Sequence, residues 1–288
     1  MTITAKIIAN SVSLEGIELT TMQLRYPKFI HGEFLTHRQF SRNASSSRAI
    51  PVERMIEDIQ RDPAMPVFWG KNQSGMQARE ELSPILCAEA RSLWRLSMMN
   101  AIAEAKHMHN LGAHKQIVNR LLEPFMHINV VVTGTANAYN NFYALRRHQD
   151  AQPEIQALAN AMWDAQNSSV PTLRVLNEWH LPYVNDEEIK MLNISASIKI
   201  SVARCARVSY LTHDGRSPNI EEDLKLYERL VGSTPLHASP AEHQATPDEV
   251  YSYNVFSKKI VSWLNQNQHG NFRGWRQYRK MLPNECVS

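Results

Sequence analysis

The run Thr36-His37-Arg38-Gln39-Phe40-Ser41-Arg42-Asn43-Ala44-Ser45-Ser46-Ser47-Arg48 concentrates groups that hold an anion. Guanidinium forks pair with phosphate oxygens, and a serine-rich turn adds hydroxyl and backbone N–H donors at short range. The chemistry on offer is therefore a phosphate site; the plainer alternative is a solvated basic helix end with a polar loop. A metal site is not suggested. Cys87, Cys205 and Cys286 are far apart and show no CxxC spacing, and the 12 histidines form neither HxxxH nor HExxH. No Ser/His/Asp or Cys/His nucleophile constellation is apparent either.

The elements that must position this run follow from periodicity. A strand is expected at Ile17 to Leu24. Phe29, Ile30, Phe34, Leu35 and Phe40 have helical spacing, which predicts a helix over 29–40 that gives way to a polar turn at 41–47 before Pro51. Ser83-Pro84 is an N-cap and first-turn pair, opening a helix that runs to Leu111 before Gly112. At 1.5 Å per residue it is about 40 Å long, enough for a domain spine or a subunit interface. Further helices are expected at 114–122, 138–147 and 154–164. Pro171 to Pro182 breaks the pattern, so a joint is expected near 165–195, with 185–200 as a loop into a short strand. Asn219 and Glu222 start another helix that Gly232 ends. In the tail, Phe272, Trp275 and Arg279 would share one face of an amphipathic docking helix. Its alternating cations and rings leave nucleic-acid binding as the other reading.

Composition bounds the rest. With 288 residues and 43% hydrophobic content, the chain can bury about three quarters of its unfolded surface. A formal charge of +3 is too small for a protein that coats nucleic acid, so any anion must be held locally. No apolar run reaches the roughly 18 to 20 residues of a membrane span, and Met1 to Leu14 lacks the pattern of a signal peptide. The expected location is the cytoplasm.

The spacing H-R-x-x-S-x-N-x-x-S-x-R, realised by His37, Arg38, Ser41, Asn43, Ser46 and Arg48, resembles the signature of flavin-dependent thymidylate synthases, the ThyX family. Asn141-Phe142-x-x-Leu145-Arg146 followed by Ala151-Gln152-x-Glu154-Ile155 is similar to a second block of that family. Arg120 with Pro124 behind it is similar to a third, short stretch. Ala206-Arg207-Val208-Ser209-Tyr210, then Glu221-Glu222-Asp223, then His237-Ala238-Ser239-Pro240-Ala241-Glu242-His243, resembles a region that in the family precedes the H-R motif. Here it follows everything else, so the chain resembles a circular permutation, tolerable where the old termini lie close together.

The resemblance implies an α+β fold with an antiparallel sheet, long helices and permuted connectivity. Residues 1–165 would carry the H-R motif and nucleotide-binding portion, and 166–288 the permuted flavin-binding portion of one catalytic unit. It implies transfer and reduction of a one-carbon unit from methylenetetrahydrofolate to C5 of a pyrimidine deoxynucleotide monophosphate, dUMP to dTMP. FAD would carry the hydride and NADPH would be the reductant, which dispenses with a protein nucleophile. His37, Arg38, Asn141, Ser209 and His243 would contact FAD. Glu33, Ser46, Ser47, Arg48, Arg120 and Arg146 would hold the nucleotide, with Arg146 catalytic through polarisation of the pyrimidine ring. A homotetramer with sites built from several subunits is also implied, with neither membrane nor nucleic acid as partner.

Four positions depart from the family pattern. Thr36 stands where Arg is usual, Glu33 where Gln is common, Ala44 where Glu is common, and Asp150 replaces a His that helps hold FAD. A carboxylate at a base-reading position offers acceptors only, which suits a cytosine amino group. Methylation of dCMP or pyrimidine hydroxymethylation therefore stands as an alternative. A non-catalytic nucleotide- or RNA-binding relative is the other.

Overall fold

The computed structural model describes residues 3–208, 219–234, 236–255 and 258–286. Strands β1 (Thr4–Val12) and β2 (Glu18–Pro27) form a hairpin, and a 3-10 turn leads into the single-turn helix α1 (His31–Phe34) and then β3 (Ser41–Ala44). Helices α2 (Val52–Arg61), α3 (Pro84–Asn110) and α4 (Lys115–Val118) precede β4 (His127–Thr135), which runs directly into α5 (Ala136–Arg146). After α6 (Pro153–Asn167) come β5 (Thr172–Leu173), α7 (Asp186–Met191), α8 (Ile194–Ala206) and α9 (Ile220–Val231). The chain finishes with β6 (Ala245–Pro247), β7 (Val250–Val255), β8 (Lys258–Trp263) and β9 (Trp275–Gln277).

The main sheet has the order β3-β4-β2-β1-β5 and is antiparallel except for the short β1/β5 pair. With helices on its faces this is an α+β fold. Successive β4 side chains alternate between faces. Ile128, Val130 and Val132 pack with Tyr139, Phe142, Ile155, Leu158 and Met162 of α5 and α6. Val131 points the other way, against Cys205 and Val208. Burial on both faces explains the unbroken valine run, because neither face needs polar residues. A separate core gathers α2, α3 and α4 around Met55, Ile59, Ile102 and Phe125.

Several elements differ from the sequence expectation. The predicted helix over 29–40 stops after one turn at Phe34. Arg42 Nη1 donates to the Leu35 and His37 carbonyls at 2.7 and 3.3 Å, so those groups serve a turn. The expected polar turn at 41–47 begins as strand β3, with Ser41 opposite Thr133 and Asn43 opposite Val131. Residues 185–200, expected as a loop and short strand, form α7 and most of α8. Asn185 and Glu188 make a reciprocal capping box, and the Asn193 side chain accepts from Ala196 N–H. The tail is not one amphipathic helix: Trp275–Gln277 pairs with β6 ahead of a 3-10 turn at Tyr278–Met281, and Phe272 and Trp275 fill a small core with Leu19 and Ala245. Among the described residues no helix is long and apolar enough to cross a membrane.

Candidate active site

Helix α5 builds one wall of the site. Ala138, Asn141, Phe142 and Leu145 recur at helical spacing, so one stripe of the helix meets the turn that follows α1. Phe142 is fully buried and meets the His37 ring edge-on at 4.7 Å between centroids. Beside it, Thr36, His37, Arg38, Gln39, Phe40, Ala138, Asn141, Leu145 and Arg146 enclose a cavity of about 190 Å³. Gly134, where β4 meets α5, has a structural reason: a Cβ there would stand 2.7 Å from Phe40 Cδ1.

Arg146, in the last turn of α5, is held by residues of the opposite wall. Its Nε–H donates to His37 Nε2 at 2.8 Å, Nη1 donates to Glu33 Oε1, and Nη2 approaches Thr36 Oγ1 at 3.4 Å. Burial, reinforced by the charges of Arg146 and Arg42, lowers the His37 pKa to about 4. The imidazole is therefore neutral near pH 7, and because Nε2 accepts from Arg146 the proton must sit on Nδ1. Nδ1 of His37, the Arg38 guanidinium and the Asn141 carboxamide have no hydrogen-bond partner among the described residues. A cavity edge with a fixed N–H, an open guanidinium and an amide suits a phosphate or the carbonyl and ring-nitrogen edge of a flavin.

The structure brings Glu33, His37, Arg38, Asn141 and Arg146 together. It sets the other expected nucleotide ligands beyond the far end of β3, away from this cavity. There Ser47 Oγ donates to Glu123 Oε1 at 2.7 Å and Arg120 Nη1 donates to the same oxygen at 2.8 Å. Ser46 contributes its carbonyl to a turn that Ala49 N–H closes, and Arg48 is exposed. Glu33 is not free to read a base, since its carboxylate is engaged by Arg146. Ser209 lies outside the described residues.

His243 stands apart from the cavity. It is completely buried, and its Nδ1 lies 2.8 Å from Thr133 Oγ1 on the β4 face opposite α5. Thr133 continues to Thr21 at 2.6 Å, Thr21 to His180 Nε2 at 2.7 Å, and His180 Nδ1 to Ser11 at 2.8 Å. An internal chain of hydroxyls and imidazoles results, which sequence patterns did not reveal because its members come from five separate segments. Arg42 was also missed as a positioning residue, although it sits inside the densest polar run. The region that begins at Ala206 does reach strand β3: Ser239 Oγ donates to Asn43 Oδ1 at 3.3 Å, and Asn43 Nδ2 donates to the carbonyl of Cys205, just ahead of that region, at 2.8 Å.

The sequence profile of the thymidylate synthase complementing protein family matches residues 13–172. No curated protein matches the chain. Among solved structures it is similar to the UMP/dUMP methylase PolB from Streptomyces cacaoi bound with 5-Br dUMP. That likeness has 18% identity, covers 58% of this chain and 90% of the other, and has a TM-score of 0.48. The same protein bound with 5-Br UMP gives 19% identity over 58% and 89% of the two chains, with a TM-score of 0.45.

Proposed function

We propose, from the premise that the chain belongs to the thymidylate synthase complementing protein family, the flavin-dependent thymidylate synthases, that it methylates dUMP at C5. Methylenetetrahydrofolate would be the one-carbon donor and NADPH the reductant. The observation that carries this reading is the convergence of His37, Arg38, Asn141 and Arg146 on one cavity. His37 Nδ1–H, Arg38 and Asn141 would hold FAD, which when bound supplies the hydride that reduces the transferred one-carbon group. Arg146 would face a pyrimidine carbonyl and stabilise negative charge on the ring as the new C–C bond forms.

The described residues of one chain do not complete such a site. A cavity of about 190 Å³ is small beside the roughly 300–1,000 Å³ of ligand pockets, and the Ser46, Ser47, Arg48 and Arg120 cluster opens at the other end of β3. A second copy that brings this cluster to the first copy's Arg146 would satisfy both ends of a nucleotide monophosphate, which supports a homo-oligomer. The Asn43 contacts with Cys205 and Ser239 support permuted connectivity, with 1–165 and 166–288 as portions of one catalytic unit.

Absorbance of the purified protein with added FAD, followed by anaerobic titration with dUMP and dCMP, tests the reading. A flavin band perturbed by dUMP is expected. Perturbation by dCMP alone would give the cytosine alternative, and absence of bound flavin would favour the non-catalytic one. Arg146→Ala should abolish turnover and leave flavin bound; a fully active variant would refute the role of Arg146.

A further inference from the structure

Every nitrogen of the Arg146 guanidinium faces an acceptor supplied by residues 33–37: His37 Nε2, Glu33 Oε1 and Thr36 Oγ1. Only Glu33 among these is anionic. His37 is neutral, and the Thr36 hydroxyl spends its own proton on the Glu33 carbonyl at 2.7 Å. Glu33 itself does not line the cavity, whereas Arg146, Thr36 and His37 do. The carboxylate therefore works from behind, neutralising a guanidinium whose charge would otherwise face the cavity.

We propose that Glu33 is a latch that competes with the ligand for Arg146, so that a nucleotide gains the full charge of the guanidinium only by displacing the carboxylate. The inference rests on the proposed nucleotide reaction. It gives Glu33 a different part from base reading: it acts on the ligand through Arg146 as a specificity-determining positioning residue. Ligands that cannot replace a carboxylate, such as a neutral nucleoside that reaches the cavity, leave the latch closed. A nucleotide whose phosphate is already held elsewhere can open it, because the second contact is then intramolecular. The pair is partly exposed, with 21% and 27% of the two side chains accessible, so the competition is modest. An ion pair of that kind contributes up to about 1 kcal/mol, which is about fivefold in affinity.

The test uses the full-length protein and the variants Glu33→Ala and Glu33→Gln. Glu33 is only partly buried on its one-turn helix, so both should fold. Equilibrium titration with dUMP should show about fivefold tighter binding in each variant. Steady-state kinetics should show a lower KM for dUMP, the mark of a cost removed from substrate binding. Binding that is unchanged or weaker in both variants would overturn the latch. An independent arm needs no ligand: nitrogen-15 NMR should resolve slowly rotating Arg146 Nη–H signals in the wild type that collapse in Glu33→Ala, and identical spectra would refute the proposal. If dUMP binds to none of the proteins, the proposed function fails, and the NMR arm still decides whether Glu33 restrains Arg146.

Discussion

The buried chain Ser11, His180, Thr21, Thr133 and His243 shows how much depends on single hydroxyls. Burial lowers both imidazoles to about 3, so each is neutral with one N–H and one acceptor nitrogen. Each threonine hydroxyl can donate only once, so when His180 Nδ1–H donates to Ser11, Thr21 must donate to His180, Thr133 to Thr21, and His243 Nδ1–H to Thr133. His243 Nε2, at the open end, has no partner among the described residues. Thr133→Val would interrupt the chain, leaving the buried His243 imidazole without a hydrogen bond among the described residues and Thr21 with the His180 bond only. A loss of about 1–3 kcal/mol is expected on urea unfolding. Thr133→Ser should recover most of it, because the hydroxyl and not the methyl is at issue; equal losses in both variants would show that packing alone is responsible.

At the scale of elements, end signals mattered more than residue propensity. Ile194, Ile198, Ile200 and Val202 favour a strand by type, yet they lie in α8, where most side chains are buried and Asn193 caps the start. Asn185→Ala and Asn193→Ala should each cost about 1 kcal/mol, read as lower melting midpoints; a neutral pair would show that packing, not capping, holds α7 and α8. The expectation held for the Ser83 cap ahead of α3 and for the helical spacing of α5 and α6. The aromatic spacing of 29–40 misled, because Phe34, Phe40 and Phe142 pack with one another across a turn and need no continuous helix to meet. The grouping of His37, Arg38, Asn141 and Arg146 was legible because α5 displays its residues at fixed intervals. The burial of His243 and the hold of Glu33 on Arg146 were not, since each depends on contacts between segments more than a hundred residues apart.

At the scale of the whole molecule, Ile85, Leu86, Leu93, Leu96 and Met99 are exposed along one side of α3. If that side joins copies of the chain, Leu93→Glu with Leu96→Glu should lower the mass seen by light scattering, and an unchanged mass would exclude it. The second whole-molecule consequence concerns pH. His31, His37 and His127 are lowered to about 4, and His180 and His243 to about 3, burial being the leading cause in each. In the unfolded chain these groups take up protons near the ordinary value of 6.5. Between pH 6.5 and 4 the unfolded state thus binds more protons than the native state, and stability falls as the pH falls. Stability from this source is complete above about 6.5. Each fully buried histidine adds a slope of up to about 1.4 kcal/mol per pH unit, and the partly exposed ones add less because solvent screens them. Asp62, Glu188, Asp248 and Glu285, all held below their ordinary values, extend the same trend to lower pH. The melting temperature should therefore drop steadily from pH 7 to pH 5. Calorimetry in buffers of different ionisation enthalpy should find more than one proton taken up on unfolding near pH 5.5. A flat profile over that range would mean that the imidazoles reach solvent in the native state, which would undo the neutral assignments of His37, His180 and His243 together.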